Sequence, residues 1–297
     1  MSYLVKAAGL TKTYSGKTVL DGVDIAVEGG CITGFVGANG AGKTTTIRAL
    51  LGLMPLDAGE VVLFGEPFDV QADGALARRI KSRIGVVLDT CPYLADLRVK
   101  SVAAGLRAAY PMWRQGLFEE YLRRFELDAN QKVKELSRGM GMKLQLACAL
   151  AHEPELLVLD EATAGLDPLA RDEVLDILRA FVSDENHGIL ISSHITTDLE
   201  HIADTVVCID AGRIAFDLPK DVITDEMGVA RCRAAEFEQV AASGLFAAGE
   251  MRYVRNPYGI DLVVPDRLAF ARRFPEIACE RASIDEFMQI TLKGDIR

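Results

Sequence analysis

At 297 residues the chain can bury one large core or divide into a large and a small domain. With 49% hydrophobic and 26% charged residues it has a globular composition, which excludes a disordered chain. Its 33 basic and 43 acidic residues leave a net charge of −10, and an acidic surface repels phosphate backbones, so no nucleic-acid partner is expected.

The start, MSYLVKAAGL, lacks a charged segment followed by an apolar one, so no signal peptide is expected. No run reaches the ~18 apolar residues of a membrane span. The expectation is a soluble cytoplasmic protein whose membrane role would come through a partner. Cys31, Cys91, Cys148, Cys208, Cys232 and Cys279 form no C-x-x-C pair, which predicts reduced structural thiols rather than a disulfide framework or zinc site.

In chain order, residues up to about 215 alternate apolar runs with amphipathic stretches, which predicts an α/β domain. CITGFVG from Cys31 reads as a buried strand, ANGAG as a turn, and TTTIRALLGLM as a helix. From about 92 to 150 the apolar positions Leu117, Tyr121, Leu122 and Phe125 keep helical spacing, which predicts a helical subdomain inserted into the sheet. Strands return as ELLVLD, GILISS and TVVCID.

After Pro219 the pattern changes, and the division expected is 1–218 and 219–297. The tail reads as a strand near Val229–Arg233, a helix from Glu236, and strands Met251–Arg255 and Ile260–Val264. A helix from Asp266, a strand Ile277–Glu280 and a last helix from Ser283 complete a βαββαβ order that suits a small ferredoxin-like module. Ser283 with Glu286 is a capping-box pattern for that last helix.

Two strings carry chemistry. Gly37 to Thr44 matches G-x4-G-K-[ST], in which glycines let backbone N–H groups curl around phosphate oxygens at a helix N-terminus. Asn39, Gly40, Gly42 and Thr45 belong to this cradle; Lys43 would reach the β- and γ-phosphates and Thr44 would ligate Mg²⁺. The second string is the apolar run ending in Asp160 and Glu161, which places two carboxylates at the end of a buried strand, where open α/β sheets bind ligands. Asp160 would hold Mg²⁺ and Glu161 would act as the base on the attacking water.

Leu136-Ser137-Arg138-Gly139-Met140 and the following GMKLQLACALAHEPELLVLDEATAGLDP resemble the signature-to-D-loop segment of ABC ATPases. The usual signature reads LSGGQ; Leu136, Ser137 and Gly139 are kept, with Arg138 and Met140 at the variable places. The resemblance spans roughly residues 3–215. It implies a P-loop NTPase fold of ABC type that hydrolyses ATP with Mg²⁺. It also implies roles: Tyr14 stacking on adenine, Ser137 and Gly139 contacting the γ-phosphate of an opposite protomer, and Asp167 closing a D-loop across a dimer interface. His194, after GILISS, resembles the switch histidine; His152, His187 and His201 are left as core or surface residues. Asp89 stands where the family usually has a glutamine that senses Mg²⁺, and an aspartate there can still accept from a metal-bound water.

One chain carries one set of parts, so a homodimer is expected, driving a separate transmembrane permease from the cytoplasmic face of the membrane. SRGM, Asp89 and the ending SIDEFMQITLKG resemble ATPase subunits of ABC-2 type exporters, with an importer subunit or a non-transport ABC ATPase as the alternatives. The partner's coupling helix would dock around residues 85–110.

Overall fold

A computed structural model describes residues 2–69, 74–247 and 249–297. The chain opens on two 12-residue strands, β1 (Tyr3–Tyr14) and β2 (Lys17–Glu28), joined at Ser15 and Gly16. Both turn residues have positive φ, 47° and 82°, the conformation that lets a two-residue turn follow the strand twist. With β4 (Ala58–Leu63) and β5 (Glu66–Pro67) they form an antiparallel sheet in the order β2-β1-β4-β5.

The second sheet holds β3 (Ile32–Val36), β6 (Ile84–Val87), β7 (Leu156–Asp160), β8 (Gly188–Ser192), β9 (Thr205–Asp210) and β10 (Arg213–Pro219). Its order is β10-β9-β3-β8-β7-β6, parallel throughout except for the edge strand β10. Every residue of β3, β7 and β8 is buried, as strands covered on both faces require. Alternate side chains therefore serve two cores. Leu156 and Val158 pack with Leu10, Leu20, Phe35 and Ile47 under the antiparallel sheet. Leu157 and Leu159 pack with Ile189, Ile191 and Leu144 on the opposite face.

The connections are helices: α1 (Lys43–Leu50), α2 (Gly74–Lys81), α6 (Pro168–Phe181) and α7 (Thr196–Ile202). Between β6 and β7 lie α3 (Val99–Ala109), α4 (Gln115–Arg124), a 3-10 turn at Val133–Glu135 and α5 (Arg138–Leu150), so the inserted stretch is helical. Among the described residues no helix is long and apolar enough to cross a membrane.

The tail contains β11 (Gly228–Cys232), α8 (Ala234–Ala241), β12 (Arg252–Asn256), β13 (Gly259–Val264), α9 (Arg267–Arg273), β14 (Ala278–Arg281), α10 (Ile284–Lys293) and β15 (Asp295–Ile296). The sheet runs β14-β11-β13-β12-β15 with antiparallel pairs, the strand order of a split βαβ ferredoxin-like sheet extended by one short strand. It has its own core around Phe237, Val240, Leu262 and Phe270. Its last helix leaves that core. Ser283 Oγ accepts from Glu286 N at 3.1 Å to cap α10, and Ile284 N donates to Glu200 Oε1 of α7 at 2.7 Å. Ile284, Phe287 and Ile290 join the main core, with Phe287 edge-on to Phe216 at 4.9 Å.

Burial dominates two kinds of titratable group in this frame. It pushes the thiols of Cys148 and Cys208 up to about 12, which keeps these two buried thiols protonated, and all six cysteines are free. His152, 3% exposed, stacks on Tyr110 at 4.1 Å with ring nitrogens 3.3 Å from Cys148 O and 3.1 Å from Ile84 O. Burial pulls this imidazole below its usual pKa, and the two carbonyls only partly offset it. The folded ring stays neutral where the unfolded chain takes up a proton, so stability falls as pH drops below about 6.5. Thermal melts from about pH 7.5 to about pH 5.5 check this: the wild type loses more stability than His152→Gln over that window, and equal losses contradict the assignment.

Candidate functional site

The parallel sheet sets the site. β3, β8, β7 and β6 lie side by side, and at their C-terminal ends they deliver, in turn, the glycine loop, His194, the carboxylates Asp160 and Glu161, and Asp89. After Val36 the chain turns at Gly37, where a Cβ would lie 2.2 Å from the Ile209 carbonyl. Gly42 has φ 124°, and a Cβ there would meet Ile209 Cδ1 at 2.9 Å and Leu20 Cδ2 at 3.0 Å. Neighbouring strands thus enforce both glycines before any phosphate arrives. Lys43 opens α1, is buried, and its ammonium donates to the carbonyls of Gly37 at 2.7 Å and Ala38 at 3.3 Å.

Asp160 is 3% exposed, and hydroxyls from two other segments satisfy it. Thr44 Oγ1 donates to Oδ2 at 3.0 Å, and Ser192 Oγ to Oδ1 at 2.6 Å. The sheet register places Asp160 opposite Ser192 and Ser192 opposite Phe35, which brings these groups to one level. Glu161 sits at φ 57°, a left-handed conformation that costs a non-glycine residue about 1 kcal/mol or more. It is held there from both ends. Its N–H faces Ser192 O at 3.1 Å and Ser192 Oγ at 3.2 Å, while its carboxylate accepts from His194 Nδ1 and from His194 N at 3.3 Å.

A cavity of about 470 Å³ has Asn39, Gly40, Gly42, Lys43, Thr44 and Thr45 on one wall. Asp89, Arg138, Asp160, Glu161 and His194 stand on the other. Backbone N–H groups and an ammonium facing carboxylates and a histidine can bind a polyanion and direct a water at it. The Thr44 hydroxyl and Asp160 carboxylate, 3.0 Å apart, are oxygen donors that suit Mg²⁺. Among the described residues no group of three acidic, histidine or cysteine side chains forms a metal cage.

Five of the predicted residues do not line this cavity: Gly37, which makes the turn into the loop, and Tyr14, Ser137, Gly139 and Asp167. Ser137 caps α5, its Oγ accepting from Met140 N at 3.2 Å, and neither it nor Gly139 lines the cavity of its own chain's phosphate loop. Ser137 borders a separate cavity of about 350 Å³. Asp167 caps α6, accepting from Ala170 N at 3.0 Å, and that N–H holds its carboxyl below the usual range. Tyr14 is half-exposed at the end of β1. Its hydroxyl turns to Met54 Sδ at 3.4 Å, and Lys12 Nζ stands 5.5 Å over the ring.

Among known proteins, a family profile described as ABC transporter matches residues 20–164. The Bacitracin transport ATP-binding protein BcrA of Bacillus licheniformis is 36% identical over 223 residues, covering 74% of this chain and 71% of that protein. The chain belongs to the ABC transporter ATP-binding proteins. A Nod factor export ATP-binding protein I of Ralstonia nicotianae is 38% identical over 233 residues, covering 76% and 70% of the two chains. Among solved structures, an ATP-binding subunit of an ABC transporter is 29% identical with a TM-score of 0.67, covering 74% of this chain and 91% of its own. A dimeric ATP-binding cassette with ADP and phosphate, 22% identical with a TM-score of 0.66, covers 73% and 98% and shares the fold.

As an ATP-binding subunit of an ABC transporter, the chain binds and hydrolyses ATP. Sequence reasoning missed Ser192, the first serine of SSH. Nothing in its neighbours marks it, because its role comes from standing beside Asp160 across β7 and β8. It missed Arg138 as well, whose arm reaches the cavity from the signature segment. Ser192→Ala strips one hydrogen bond from a buried carboxylate and one from a strained backbone. The expected cost is about 1–3 kcal/mol of stability, with a fall in ATPase rate, checked by denaturant unfolding and phosphate release. A variant as stable and as active as the wild type contradicts that role.

Proposed function

We propose that the chain is a Mg²⁺-dependent ATPase that works as a homodimer and powers export through a separate transmembrane permease. The observation that carries this reading is the split of its motifs. The phosphate loop, Asp160, Glu161 and His194 share one cavity, while Ser137 and Gly139 lie outside it, available to a second copy. Asp167 and Leu169, which is 83% exposed, stand in the segment that a facing protomer would cover.

In this reading loop N–H groups and Lys43 bind the phosphates, and Tyr14 turns from Met54 to stack on adenine. Thr44 and Asp160 would hold Mg²⁺, with Asp89 available as a further acceptor beside it; bound there, the cation would neutralise phosphate charge. Glu161 polarises the attacking water, and His194 fixes that carboxylate through its ring and its N–H. Ser137 and Gly139 of the facing copy complete the γ-phosphate site, so loss of that phosphate releases the dimer.

Residues 1–218 form the ATPase unit, with a helical subdomain at about 92–150, and 219–297 an accessory unit. The export direction rests on relatives named for Nod factor export, together with the SRGM signature. The permease would dock near 85–110, where Leu94 and Leu97 are exposed on the helical insert, and would hold the protein at the cytoplasmic face.

Glu161→Gln is expected to slow hydrolysis by on the order of 100-fold while an ATP-bound dimer accumulates on size exclusion. A strictly monomeric variant at saturating ATP contradicts the two-copy site. Chelation of Mg²⁺ is expected to stop hydrolysis, and an unchanged rate in chelator contradicts the metal assignment.

A further inference from the structure

Asp89 follows β6 and Arg138 opens α5, yet the Arg138 guanidinium donates to Asp89 Oδ1. The arm of Arg138 runs along the segment between Glu161 and α6. A Cβ built on Gly165, which has φ 82°, would lie 3.3 Å from Arg138 Cδ and 3.7 Å from its Cγ. Both charged groups border the phosphate cavity and the neighbouring cavity that Ser137 lines. The ion pair is therefore the partition between a chain's own phosphate loop and its own signature segment.

This placement has an electrostatic consequence. The cavity takes a triphosphate, and a carboxylate on its wall repels that anion unless a cation stands against it. Asp160 is screened by two hydroxyls and is placed to meet the metal, and Glu161 is held by His194. Asp89 has Arg138. We propose that Arg138 is a positioning residue for nucleotide binding: it neutralises Asp89 and ties the β6 end to the start of the signature helix, so that the triphosphate meets a charge-balanced wall. The inference rests on the reading of this cavity as the ATP site. Both side chains are about half-exposed, so the effect is several-fold rather than all-or-none.

The test is a double-mutant cycle read by equilibrium binding of a fluorescent ATP analogue in EDTA, without turnover. Arg138→Gln keeps much of the arm that packs on Gly165 and removes the charge, and thermal melting verifies that it folds. At low salt it is expected to weaken binding about fivefold, an effect that shrinks as salt rises and vanishes in the Asp89→Gln background. Arg138→Lys is expected to recover most of the loss. The same loss in both backgrounds, or no loss at low salt, overturns the proposal while leaving the ATP site intact. A wild-type chain that binds no ATP analogue overturns both.

Discussion

A buried carboxylate is expensive unless hydrogen bonds compensate it, and the site is arranged around one such group, Asp160. Its two oxygens are satisfied by Thr44, from the segment after β3, and by Ser192, from the end of β8. Those bonds exist only if three parallel strands end at the same level, so register, glycine loop and acidic pair are one constraint. Gly37 and Gly42 extend it: they let the loop pass under Ile209, which fixes where Lys43 begins its helix. Glu161 completes it from outside, kept in a left-handed backbone by the same Ser192 that serves Asp160.

The parts of the site legible in sequence were those written as short contiguous strings. The phosphate loop, the apolar strand ending in two acids and the histidine after GILISS each carry their geometry locally. What escaped was set by contacts between strings. Ser192 acts across a strand pair, and the Asp89–Arg138 pair joins positions that only the fold brings together.

The fold divides along similar lines. The buried parallel strands, the helical insert and the tail's elements from β11 to α10 were visible as patterns. The N-terminal sheet was not, because bulges interrupt β1 between Ala7 and Leu10 and again near Lys12, breaking the alternation. The helix after the glycine loop was read through to Met54 but ends at Leu50. Gly52, at φ 60°, and Leu53 donate back to Ala49 and Arg48, a helix-terminating motif that Leu-Gly-Leu could have signalled. The last strand, β15, is two residues paired to β12, too short for any periodic signal. The tail's last helix packs into the main core and reaches α7, where Ile284 N donates to Glu200 Oε1.

The central claim, an ATP site built from two copies, is tested most directly by mixing two inactive chains. Lys43→Ala disables the phosphate loop, and Ser137→Ala disables the signature that faces it. Each variant alone has two damaged sites, whereas a mixed dimer has one intact site. The account predicts that mixing restores ATPase activity to about a quarter of the wild-type rate, as random pairing of symmetric dimers requires. Two folded variants that bind ATP or dimerise but stay inactive when mixed would contradict it.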